Sequence, residues 1–177
     1  IANDPDIYIV FAVGDTPYAD QGTGKWGVSF NSLSTDYSFS NWVKTYEAWH
    51  CNPWIEEMCL RRGLVRTWSD HEWKDSIRQS LETTEERATA IAALTSWCVG
   101  NPPNTDAGID SDAVYCRGNV NDVVEFFVLD TISYAGDFIL TDTGDKNTYT
   151  KTMLGLTQRD WLKDGITDST AGIKFVL

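Results

Sequence analysis

Four short runs of apolar, β-branched and aromatic residues punctuate the chain: DIYIVFAV (6–13), LVRTW (64–68), VVEFFVLD (123–130) and GIKFVL (172–177). Each is strand-length and bounded by turn-prone or ionisable residues, so each reads as a β-strand. The stretches between them carry helical spacing. Residues 40–51 place Trp42, Tyr46 and Trp49 on one face, and residues 53–62 start with Asn52 as N-cap and Pro53 in the first turn, then stop at Gly63. Residues 83–98 open on a capping box, Thr83 with Glu86, and carry Ala88, Ile91, Thr95 and Cys98 as a stripe. A short helix over 157–165 has Thr157 and Asp160 near its start and Gly165 at its end. Residues 17–38 and 99–119 read as loops, the second long enough to have a role of its own. The order strand, two helices, strand, helix, strand, helix, strand predicts a mixed α/β (α+β) layered fold, taken as one domain over 1–177.

Composition narrows the function. The chain has 177 residues and 42% apolar side chains, with 8 Trp, 7 Tyr and 7 Phe, enough to bury a core. Against 14 Lys and Arg stand 26 Asp and Glu, a net charge of −12, which would repel a nucleic-acid backbone. The same excess of carboxylate suits metal cations and an extracytoplasmic or secreted setting. No apolar run approaches the roughly 20 residues needed to span a bilayer. IANDPDIYIVFAV is no signal peptide, and the chain reads as one that begins mid-protein. Cys51, Cys59, Cys98 and Cys116 form no CxxC pair, leaving two alternatives: one or two disulfides in an oxidising compartment, or buried thiols.

Three of the strands end in an acid: Asp15, Asp70 and Asp130. Asp is a turn former, so any one of these is unremarked. In open α/β sheets, however, ligands collect beyond the carboxyl ends of the strands, and neighbouring parallel strands would bring these acids together there. Carboxylates brought close repel one another unless a proton or a cation joins them. His71, one of two histidines, follows Asp70 and precedes Glu72. His50 reads as a packing or surface residue on an aromatic helix.

Other motifs fail on a required residue. HEWKD has Asp75 where a zinc protease needs its second histidine, and ADQGTGKW has Ala19 and Trp26 where a P-loop needs Gly and Ser/Thr. DTGDKN and NTDAGIDSD lack the glycine and distal Glu of an EF-hand. No serine sits in a GxSxG elbow. The aromatics of KWGVSF and NWVKTYEAWHCNPW raise a carbohydrate- or surface-binding alternative.

Four segments, in order, resemble the alkaline phosphatase D (PhoD-like) family of calcineurin-like metallophosphoesterases. DPDIYIVFAVGDTPYAD resembles its strand and Gly-Asp-x-x-Tyr-x-Asp loop, RTWSDHEWKDS its Trp-Asp-Asp-His-Glu segment, and VVEFFVLDTISY its Leu-Asp-Thr-Arg-Ser-Tyr strand. MLGLTQRDWLKDGITDSTAGIKFVL resembles its Leu-Gly-x-x-Gln-x-x-Trp-Leu helix and the strand after it. The resemblance implies a partial αββα sandwich with a metal centre at the strand ends, hydrolysing phosphate mono- or diesters with a metal-bound hydroxide. It implies Ca and Fe as the metals, with Zn or Mn as alternatives. Asp15 would be the bridging ligand, Tyr18 a phenolate ligand and Asp70 a second-site ligand; His71 would stabilise the phosphate or leaving group, and Glu72 would orient His71. The sequence departs from the family pattern at Ser69, Asp75, Ile132 and Ala135, which stand for Asp, Asn, Arg and Arg. The family's first ligand strand and its Gly-Asp-x-His segment fall outside residues 1–177, so the chain reads as truncated at both ends. A non-catalytic scaffold or binding module is therefore the alternative to an enzyme. Open sheet edges would call for a partner chain or oligomer to cover them.

Overall fold

A computed structural model describes residues 4–15, 38–67, 69, 72, 84–97, 104, 106–109, 113–133 and 153–177. Among the described residues nine elements occur in order: β1 (Ile9–Ala12), α1 (Phe39–His50), α2 (Pro53–Arg61), β2 (Gly63–Arg66), α3 (Thr84–Trp97), β3 (Cys116–Val120), β4 (Val124–Val128), α4 (Gly155–Asp168) and β5 (Ile173–Val176). β1 and β2 form a parallel pair, Ile9 opposite Gly63 through Ala12 opposite Arg66. β3, β4 and β5 form a second sheet in that order, β3–β4 antiparallel and β4–β5 parallel.

The period of two along the strands decides the layers. Val65 joins Cys116, Phe126 and Val128 in a core that Ile9, Phe11, Val120 and Leu177 extend, so the two sheets face each other across it. Phe11 meets Phe126 edge to face, ring centroids 5.5 Å apart. The next residue on β2, Arg66, points the other way and lies buried over Trp49 of α1, its guanidinium carbon 4.1 Å from the ring centroid. Likewise Phe127 turns from the inter-sheet core to Tyr115 and to Trp161 of α4. The sequence of layers is helix, sheet, sheet, helix, the partial αββα sandwich the resemblance implied.

The outer helical layer is built as its spacing foretold. Trp42 and Tyr46 pack with Ala90, Ile91, Ala93 and Leu94 of α3. Trp42, Tyr46 and Trp49 are core, which removes them from any aromatic binding platform; Trp54 alone of that stretch's tryptophans is largely exposed. Asn52 caps α2, accepting from the Trp54 amide at 3.1 Å, and Pro53 begins the helix. The Thr83 capping box lies outside the described residues.

Two expectations need correction. The stretch read as a loop over 99–119 ends in a strand, β3, which makes a hairpin with β4. Asn121 and Asp122, at φ 54° and 56°, supply the left-handed pair of a type I′ turn, and the Val123 amide donates to the Val120 carbonyl at 3.2 Å. The last helix runs Gly155–Asp168 and does not stop at Gly165. That glycine is inside the helix because a Cβ there would sit 2.7 Å from Phe127 Cε1; it is a site of close approach, not a cap.

Cys51 and Cys59 are free thiols, Cys116 is buried in the inter-sheet core, and Cys98 lies outside the described residues. Cys59 faces Nδ1 of His50 at 4.0 Å. Arg66, which can only donate, reaches His50 Nε2 at 3.2 Å, so Nε2 accepts and the ring proton sits on Nδ1 toward the sulfur. Burial pushes the Cys59 thiol up, partly offset by the Arg66 guanidinium. His50 thus serves the α1–α2–β2 junction, as its packing role predicted.

Candidate active site

β1 and β2 are parallel neighbours, so their carboxyl ends open on the same side. Continuing the register three residues past the Ala12–Arg66 pair brings Asp15 opposite Ser69. The Ser69 hydroxyl donates to Asp15 Oδ1 at 2.9 Å across a separation of 54 residues. The Ser69 amide donates to Glu72 Oε2 at 3.0 Å, so the Glu72 side chain folds back onto Ser69. Glu72 is fully buried.

The backbone at the end of β1 takes two left-handed residues in succession, Gly14 at φ 87° and Asp15 at φ 57°. Gly14 is needed twice over. Its φ suits glycine, and a Cβ would lie 2.8 Å from Ser69 Cβ, so only a bare backbone lets the two loops meet. Asp15 tolerates the left-handed region better than most side chains, at a local cost of about 1 kcal/mol. This turn aims the first carboxylate of the site at the end of the neighbouring strand.

Of the residues predicted from the sequence, Asp15 and Glu72 meet on Ser69. Tyr18, Asp70 and His71 lie outside the described residues, as do Asp75 and Ala135. The third acid-terminated strand, β4, belongs to the other sheet. Asp130 there is fully buried, and its Oδ1 accepts from the amides of Ile132 at 3.0 Å and Ser133 at 2.7 Å. Its amide donates to Gln158 Oε1 at 2.8 Å, while Gln158 Nε2 donates to its carbonyl at 2.9 Å. Asp130 therefore ends the strand and fastens it to α4. Ile132, where the family has arginine, packs against the α1–α3 core.

Sequence reasoning missed three roles. Ser69 stood only as a departure from a pattern, yet it links the two loops. Gln158 pairs with a strand end, and Trp161, one helical turn further, donates its indole N–H to Asp106 Oδ2 at 2.6 Å. The Gln-x-x-Trp spacing of α4 was the available signal: three residues apart, both side chains face the sheet. Beside this pair lies a cleft of about 350 Å³ lined by Asp106, Arg117, Asp160, Trp161, Asp164 and Asp168. Four carboxylates against one arginine make it unsuited to an anionic phosphate ester.

Among the described residues no three His, Cys, Asp or Glu side chains come together as a ready metal cage, and no helix is long and apolar enough to cross a membrane. None of the curated proteins matches the chain. A solved structure described as the structure of PhoD matches with a TM-score of 0.71 at 22% identity, over 95% of this chain and 35% of that one. The chain thus spans about a third of the length of that protein. The family model for PhoD-like phosphatases matches residues 1–176. With αββα layers, acids at parallel strand ends and a match over nearly its whole length, the chain belongs to the PhoD-like phosphatase family.

Proposed function

We propose that this chain carries part of the active site of a metal-dependent phosphoesterase that hydrolyses phosphate mono- or diesters in an extracytoplasmic setting. The observation that carries the reading is the junction of Asp15, Ser69 and Glu72 at the carboxyl ends of two parallel strands. Asp15, Tyr18 and Asp70 would hold the metals. All three offer oxygen, a donor set that fits hard cations such as Ca²⁺ and Fe³⁺ better than the nitrogen- and sulfur-preferring Zn²⁺. When bound, such metals supply Lewis acidity, neutralising charge on the phosphoryl group and acidifying water.

The chain's own residues have separate tasks. Asp15, on a strained turn, presents a fixed carboxylate. Glu72, held by the Ser69 amide, would orient His71. His71 would stabilise the phosphate or the leaving group. The net charge of −12 disfavours nucleic acid as substrate and leaves small phosphate esters.

The test is hydrolysis of p-nitrophenyl phosphate and its bis ester by the full-length protein, after chelation and after return of Ca²⁺ with Fe³⁺. Turnover lost on chelation and restored by metal is expected. Metal uptake without turnover would indicate a degenerate site, and the absence of both uptake and turnover would overturn the proposal in favour of the non-catalytic scaffold.

A further inference from the structure

We infer that Ser69 is the positioning residue of this site, its hydroxyl fixing the Asp15 carboxylate and its amide holding the Glu72 carboxylate; the inference rests on the phosphoesterase reading for its purpose, not for its geometry. Asp15 sits in the left-handed region, at φ 57°, a local cost that a specific contact offsets. One contact that holds it is the Ser69 hydroxyl, 2.9 Å from Oδ1. The same serine donates its amide to Glu72 at 3.0 Å. One residue thereby joins two loops that the sequence separates by 54 positions.

Its surroundings are built for that contact. The parallel register carries position 69 to position 15, and Gly14 omits the Cβ that would fall 2.8 Å from Ser69 Cβ. A serine hydroxyl is also the right chemistry. It donates a hydrogen bond without adding charge, so it orients a ligating carboxylate without competing for the cation. A second carboxylate in its place could only accept, and would repel Asp15 unless a proton or cation joined them.

The experiment compares Ser69→Ala and Ser69→Thr with the wild type in the full-length protein, by Ca²⁺ titration calorimetry and by amide exchange of the metal-free protein. Outer hydrogen-bond partners of metal ligands are typically worth about ten- to a hundredfold in metal affinity. S69A should lose Ca²⁺ affinity by that factor, and exchange at Asp15 should quicken about fivefold, the worth of one hydrogen bond. S69T, which keeps the hydroxyl, should restore both. A purely structural serine would alter unfolding without altering Ca²⁺ affinity. Unchanged Ca²⁺ binding in S69A overturns the inference. If the wild type itself takes no Ca²⁺, the proposed function fails, and exchange alone then decides: faster exchange at Asp15 in S69A sustains the positioning role, and equal exchange overturns it.

Discussion

Asp15→Asn is expected to lower phosphate-ester hydrolysis by about a hundredfold to a thousandfold while leaving the fold in place. The size follows from the several kcal/mol of transition-state stabilisation that a metal centre supplies, each 1.4 kcal/mol being a factor of ten. The substitution is unusually clean at this position. Asn has the same shape and favours the left-handed region even more than Asp, so φ 57° suits it. Its amide oxygen can still accept the Ser69 hydroxyl, so the link between the loops is kept. Only the negative charge is removed. Steady-state kinetics beside a thermal melt would separate the effects: activity should collapse while the midpoint stays within about 2 °C of wild type, the span of about 0.5–1 kcal/mol. Activity within threefold of wild type would take Asp15 out of the site.

The largest effect on stability is expected from Phe127→Ala. Phe127 is fully buried, sits edge to face with Trp161 at 5.9 Å between ring centroids, and fills the space that Gly165 leaves open in α4. Removing the ring takes away its transfer free energy and leaves a cavity, together about 3–5 kcal/mol. Gly165 cannot refill the space, so the upper half of that range applies. Against a typical total of about 5–15 kcal/mol this is a large share, and urea denaturation should show the midpoint fall accordingly. A loss under 1 kcal/mol would mean that α4 does not depend on the sheet as its contacts say.

How much of this was legible in the sequence varies by element. α1 was, because Trp42, Tyr46 and Trp49 repeat at helical spacing and all three are buried. α2 was, because Asn52 and Pro53 mark its start and the cap bond is formed. β3 was not. CRGNV has a charged residue, a glycine and an asparagine in five positions, and it is a strand because the left-handed pair Asn121–Asp122 folds it onto β4, with pairing from Cys116–Val128 to Val120–Val124. A tertiary partner outweighs weak local propensity there. The end of α4 is not legible because a glycine reads as a stop signal, while its purpose is a contact with Phe127 that only the packed structure reveals.

The site shows the same division. Asp15 was marked by its position after an apolar run, and the register of β1 with β2 accounts for its neighbour. Ser69 carried no such mark. Its role depends on which residue of one strand end lies opposite which residue of the other, and no local pattern encodes that pairing. Against a family motif it registered only as a missing acid. In the structure it is the residue that two of the three predicted carboxylates touch, Asp15 through the hydroxyl and Glu72 through the amide.

The proposal that parallel strand ends gather oxygen ligands around shared metal is open to one direct measurement, an anomalous difference map from crystals of the full-length protein grown with Mn²⁺ as a stand-in for the native cations. A peak within about 2.0–2.6 Å of a carboxylate oxygen of Asp15, with Asp70 among its neighbours, is the expected result. Asp15 and Asp70 carboxylates pointing away from each other, with no peak at either, would contradict it.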